Sequence, residues 1–239
     1  MKNKKIRDIY HILLKQYGPQ GWWPLIDLRN KTSNDVHLKK GYHPEDYTLP
    51  KNRSQQFEIC VGAILTQNTS WTQVEKALDN LKNKGLLYFN IINGIGKEEL
   101  ISEIKPSGYF NQKAEKIKIF TDFFIKLNGR IPKREELLRI WGIGKETADS
   151  MLLYAFKLPF FMVDAYTKRI FSRIFNIIMD DYDKIQSLFQ NVFRDEFERD
   201  KLIIFNEFHS LIVEHSKNVC KKKPNCYNCF LRDLCEHCL

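Results

Sequence analysis

Five of the six cysteines fall in one short carboxy-terminal stretch: Cys220, Cys226, Cys229, Cys235 and Cys238. The first four read C-x5-C-x2-C-x5-C. Four thiolates on so short a loop can surround one metal centre, and all-cysteine sets of four suit a [4Fe–4S] cluster or a structural zinc. Disulfides are the alternative, and the length of the chain with no evident secretory leader argues against them. Spacing alone leaves iron and zinc open, because Cys226, Cys229, Cys235 and Cys238 also form a C-x2-C-x5-C-x2-C set that zinc could accept. The sixth, Cys60, lies in the apolar run Ile59–Leu65 and is expected to be an inert buried thiol.

Two further segments could do chemistry. In Leu137–Asp149, apolar-periodic stretches flank the turn Gly142-Ile143-Gly144, followed at once by Lys145 and Thr147. Glycines let backbone bend tightly and approach a ligand closely. The helix that follows would present open N–H groups and the positive end of its dipole, which together suit a phosphate. A Gly-x-Gly by itself could equally be an ordinary helix C-cap. Downstream, Asp164 follows the apolar patch Phe161-Met162-Val163 and opens a helical pattern. It can be an N-cap, a carboxylate facing a pocket, or both.

The elements that must position these groups read as helices. Apolar residues recur at three- and four-residue spacing over 6–14, 57–65, 74–87, 114–127, 135–141, 147–156, 168–175, 185–197 and 203–213. Gly and Pro fall between them, at Gly94-Ile95-Gly96, Pro106-Ser107-Gly108, Gly129 to Pro132 and Pro159. The polar segment 34–52 reads as a surface connection. No clean period-two strand is present, so an all-α protein is predicted. At 239 residues the chain can bury one core or two small ones. No apolar run approaches the length of a membrane span, so a soluble protein is expected. Lys+Arg 38 against Asp+Glu 29 gives a net charge of +9, which favours a polyanionic partner such as nucleic acid.

The cysteine loop with its flanks, from His215 to His237, resembles the cluster loop of endonuclease III-type DNA glycosylases, whose ligand spacing is C-x6-C-x2-C-x5-C. This chain is one residue shorter in the first gap. The resemblance implies a [4Fe–4S] loop over 220–235 held by Cys220, Cys226, Cys229 and Cys235, with Cys238 as a substitute ligand. The Gly142–Thr147 turn is similar to the family's helix–hairpin–helix, which implies DNA-backbone contacts from Gly142, Gly144, Lys145 and Thr147. The Val163-Asp164 element with Arg169 resembles the one that carries the family's active-site carboxylate, so Asp164 is expected to stabilise the oxocarbenium-like sugar and orient the attacking water. Leu65-Thr66-Gln67-Asn68-Thr69 matches the segment whose glutamine fills the hole left by a flipped base, implying DNA contacts from Gln67 and Asn68. Lys221, Lys222 and Lys223 are expected on DNA phosphates; a solvated charge run is their plain alternative.

One departure is informative. Bifunctional members of the family carry a lysine nucleophile where this chain has Glu146. A carboxylate cannot form an imine, and Lys145, one residue earlier, is turned about 100° away on a helix. A monofunctional enzyme without lyase activity is therefore expected. Trp22-Trp23-Pro24, paired with Trp71, looks like the 3-methyladenine branch, in which aromatics sandwich the damaged base. That implies Trp22 and Trp71 as the sandwich, with Trp23, Pro24 and Glu146 lining the pocket. A purine methylated at N3 or N7 is cationic, and an indole face attracts cations by roughly 0.5–2 kcal/mol. Core aromatics are the alternative for these tryptophans.

The resemblance implies two helical domains: a six-helix barrel over 52–143 ending in the hairpin, and a domain of 1–51 plus 144–239 bearing the cluster loop. It also implies a monomer acting on damaged double-stranded DNA, away from membranes, in a reducing cytoplasm near the nucleoid. Two other functions remain open: a mismatch, uracil, thymine or adenine glycosylase of the same family, and a non-catalytic DNA-binding module.

Overall fold

The computed structural model describes residues 2–29 and 33–238. Among the described residues, twelve α-helices follow in order: α1 Lys2–Tyr17, α2 Val36–Lys39, α3 Arg53–Leu65, α4 Trp71–Asn83, α5 Phe89–Gly94, α6 Lys97–Ile104, α7 Phe110–Leu127, α8 Arg134–Leu138, α9 Lys145–Ser150, α10 Ala165–Ile174, α11 Tyr182–Val192 and α12 Glu198–Asn218. No strand occurs among the described residues, and the all-α expectation holds. A π-helical turn, Met151–Ala155, continues α9 and is wholly buried.

The chain forms two compact units. One comprises residues 1–22, 44–47 and 158–239. In it α12 packs on α1 and α10, and α11 on α1. Its core is phenylalanine-rich. The Phe161 ring stacks on Phe189 at 4.1 Å, and Phe171, Phe205 and Phe208 close around them edge-on or tilted. Ile6, Ile9 and Leu13 supply the α1 stripe.

The other unit comprises residues 23–43 and 48–157. Its axis is α3, where every residue from Phe57 to Leu65 is buried. A helix buried on all sides carries apolar residues on every face rather than along one stripe. It packs against α4, α7, α9 and the π turn. Phe57, Phe89, Phe120 and Phe124 form the adjoining cluster.

The division differs from the expected one. Residues 145–155 pack on α3 and residues 23–43 group with the middle of the chain, so the boundary falls near Lys157 rather than at 143. The sequence also concealed α5 and α6. Gly94 ends α5 and Gly96 is the N-cap of α6, so both glycines punctuate short helices instead of filling a loop. The short α2 lies in the segment expected to be a plain connection.

Candidate functional site

Asp164 is the N-cap of α10. Its Oδ1 accepts from the Thr167 backbone N–H at 2.7 Å and from the Thr167 hydroxyl at 2.9 Å. Its Oδ2 lies 3.4 Å from His209 Nε2 on α12, an electrostatic contact rather than a well-formed hydrogen bond. Burial would push this carboxyl up, but His209 and the Thr167 donors outweigh it and hold it below the ordinary value. The carboxylate is 8% exposed and His209 1%, so the ionised form is retained in a largely dehydrated place.

The imidazole of His209 also packs T-shaped against Trp22, with ring centroids 5.4 Å apart and planes at 80°. The Trp22 segment is fastened by its backbone. Glu207 accepts from Gln20 N at 2.7 Å and from the Tyr47 hydroxyl at 3.1 Å, and Asn206 Nδ2 donates to Trp22 O at 3.0 Å. Burial raises the Glu207 carboxyl, partly offset by the Gln20 and Gly21 N–H groups and Tyr47. One face of α12 thus holds both Trp22 and Asp164. Asn206, Glu207 and His209 were not singled out in the sequence; the only trace was polar residues interrupting an apolar helix.

Trp22 and Trp23 face different surroundings. Trp22 is half-buried, whereas Trp23 is buried in the other unit, edge-on to Trp71 at 5.2 Å and to Tyr154 at 5.4 Å. Gly62 makes room for it, since a Cβ there would lie 3.2 Å from Trp23 Nε1. Pro24 is buried beside it in sequence.

The hairpin is built as two helices around Gly142. Arg134 on α8 grips Asp149 on α9 with two bonds, Nε to Oδ1 at 2.6 Å and Nη2 to Oδ2 at 2.8 Å. Gly142 has φ +81°, and a Cβ there would lie 2.4 Å from Lys116 Cε, so both backbone and space require glycine. Gly144 is the N-cap of α9 without a side-chain cap. Gly144, Lys145 and Glu146 are exposed, but Thr147 is buried. Thr147 Oγ1 accepts from Gln67 Nε2 at 3.0 Å, and the same amide donates to Gly142 O at 3.0 Å. Lys116 donates to Gln67 Oε1 at 2.6 Å and lies 5.9 Å from the exposed Trp141 ring. Gln67 is therefore bonded to the hairpin, while Asn68, at φ +52°, is exposed. The Lys116 link was not foreseen.

The cysteine loop is tied to α10 by arginines. Arg169 Nε donates to Cys220 O at 3.0 Å, and Arg173 donates to Lys221 O at 2.7 Å, Lys222 O at 2.9 Å and Cys220 Sγ at 3.1 Å. Lys221, Lys222 and Lys223 are exposed. Burial, then the nearby Cys220, Cys235 and Cys226, push the Cys229 thiol up. Cys238 contacts the thiols of Cys226 and Cys235. The sulfurs thus gather on one loop, as a shared thiolate centre needs. Among the described residues, however, no three His, Cys, Asp or Glu side chains are grouped to hold a single metal ion. Cys60 is fully buried, which pushes its thiol well up.

Among the described residues, no helix is long and apolar enough to cross a membrane. Residues 61–195 match the model of the HhH-GPD superfamily base excision DNA repair proteins. A candidate DNA repair glycosylase of Methanocaldococcus jannaschii is 38% identical, with 98% of this chain and 97% of that protein covered. Endonuclease III of Haemophilus influenzae is 32% identical over 82% of this chain and 89% of its own. The crystal structure of the Helicobacter pylori 3-methyladenine DNA glycosylase bound to 1,N6-ethenoadenine aligns with a TM-score of 0.67 and 28% identity, covering 89% of this chain and 97% of that one. With its hairpin, its capped Asp164 and these relatives, the chain belongs to the HhH-GPD superfamily of base excision repair DNA glycosylases.

Proposed function

We propose that this glycosylase is monofunctional and hydrolyses the N-glycosidic bond of alkylated purines flipped out of double-stranded DNA. The observation that carries the reading is Asp164. Its Oδ1 is consumed by the α10 cap, while its Oδ2 faces His209, whose ring in turn packs against Trp22. Bond cleavage places positive charge on the sugar, and a carboxylate fixed in a dehydrated place stabilises that charge and orients water. A purine methylated at N3 or N7 is already a cation and a good leaving group, so one carboxylate and an aromatic face are enough. The half-buried Trp22 supplies such a face. Similarity to the H. pylori 3-methyladenine enzyme supports the same substrate class.

Glu146 stands where a lysine nucleophile would be needed, and it is exposed on the first turn of α9. With no amine there, the abasic product is released intact. Gly142, Gly144 and Lys145 contact the DNA backbone, with Lys221, Lys222 and Lys223 adding phosphate contacts, and Gln67 and Asn68 act at the lesion. Cys220, Cys226, Cys229 and Cys235 would hold a [4Fe–4S] cluster, since their thiols gather on one loop at a spacing that suits an all-thiolate centre. The cluster's contribution is to fold the loop, and its thiolates call for a reducing compartment. The enzyme acts as a monomer.

The test is incubation with duplex DNA carrying methylated purines. The account expects free methylpurine and abasic strands that break only in alkali, with no adduct trapped by borohydride. Strand breaks without alkali, or a trapped adduct, would contradict the monofunctional reading. Release from mismatched but not methylated duplexes would move the substrate class.

A further inference from the structure

Asp164 is secured through only one of its oxygens by its own helix: both Thr167 donors go to Oδ1. A carboxylate held on one side can still swing about its broad terminal torsion. Oδ2 is met from α12, by His209 Nε2 at 3.4 Å. The imidazole is itself buried, 1% exposed, and packs T-shaped against Trp22. Its neighbours on α12, Asn206 and Glu207, bond the backbone of Trp22 and Gln20. A side chain that meets both Asp164 and Trp22 is therefore carried by the helix that fastens the Trp22 segment.

We propose that His209 is a positioning residue for base removal, fixing the direction of Asp164 Oδ2 and its place relative to the Trp22 ring. The inference rests on the reading of Asp164 as the catalytic carboxylate. A reacting group displaced by about 1 Å loses on the order of 100-fold in rate, so the two groups need a common reference, and His209 is that reference.

The test uses the full-length chain in single-turnover release of methylpurines from duplex DNA. His209→Phe keeps a flat ring of similar size and removes the N–H; His209→Gln restores an N–H of similar reach. The loss of one charge-assisted contact predicts a roughly 10- to 100-fold slower release for His209→Phe, DNA affinity within about twofold, and recovery by His209→Gln to within about fivefold of wild type. Release by His209→Phe within about twofold of wild type, or equal slowing in both variants, would overturn the proposal. Asp164→Asn separates the two ideas. If it retains more than about a tenth of the wild-type rate, the catalytic reading of Asp164 falls and its positioning with it. If it is inactive while His209→Phe is unimpaired, only the role of His209 falls.

Discussion

Replacing Gly142 by alanine should damage the hairpin by two separable routes. Its φ of +81° lies in the left-handed region, which costs a residue with a Cβ about 1–2 kcal/mol, offset by roughly 0.5 kcal/mol from the less flexible unfolded chain. The added Cβ would also sit 2.4 Å from Lys116 Cε and 2.7 Å from both Cδ and Cγ. Because the stem is blocked at three atoms, Lys116 must leave, and its 2.6 Å bond to Gln67 Oε1 goes with it. A bond to a charged donor contributes about 1.5 kcal/mol. The total is about 2–3 kcal/mol, a fall in Tm of roughly 5–10 °C for a chain of this size. Lys116→Ala alone should cost about 1.5 kcal/mol. The double variant should cost no more than Gly142→Ala, a coupling of about 1–1.5 kcal/mol. Thermal unfolding of the three variants measures the cycle, and fluorescence anisotropy with duplex DNA should show weaker binding for Gly142→Ala. Additive costs, or a Gly142→Ala variant within about 0.5 kcal/mol of wild type, would refute the reasoning.

Three other outcomes follow. Arg134→Met removes the two bonds to the fully buried Asp149 and should cost roughly 3 kcal/mol, measured by urea unfolding. Burial raises the Glu58 carboxyl from 4.5 to about 7, against the opposing Ile26 N–H. A raised acid favours the protonated folded state, so its contribution is fullest below pH 4.5 and is lost as pH rises towards 7. Glu58→Gln should remove up to about 3 kcal/mol of that decline, seen as a flatter urea midpoint between pH 5 and 7. Chains isolated without oxygen should carry iron and sulfide that Cys229→Ser loses and Cys238→Ser keeps; stoichiometric zinc instead would remove the cluster.

What could be read in the sequence was local. Asp164 before α10, Gly142 at the turn and the cysteine loop each draw their meaning from neighbours within a few residues, because capping, turns and ligand spacing are local devices. The π turn after α9 and the buried character of α3 left weaker marks, since a helix buried on every side shows no single apolar stripe. His209 left only a faint one, as a polar residue interrupting an apolar helix, until α12 packs on α10 and brings it to Oδ2. Gln67 was legible as a residue type in a motif, but its bonds to Gly142 and Thr147 depend on how α3 meets α9. Trp22 packs against His209 whereas Trp23 packs against Trp71 and Tyr154, a distinction that adjacent tryptophans do not carry in their letters.

The most direct test of the central claim is single-turnover release of methylpurines by Asp164→Asn beside the wild type, with duplex affinity measured in parallel. Asparagine keeps the shape and an oxygen for the Thr167 donors but not the charge. The account predicts a loss of at least about 100-fold in release, from the missing electrostatic stabilisation, with affinity nearly unchanged. Release within about tenfold of wild type would contradict it and send the search for the catalytic group elsewhere on the chain.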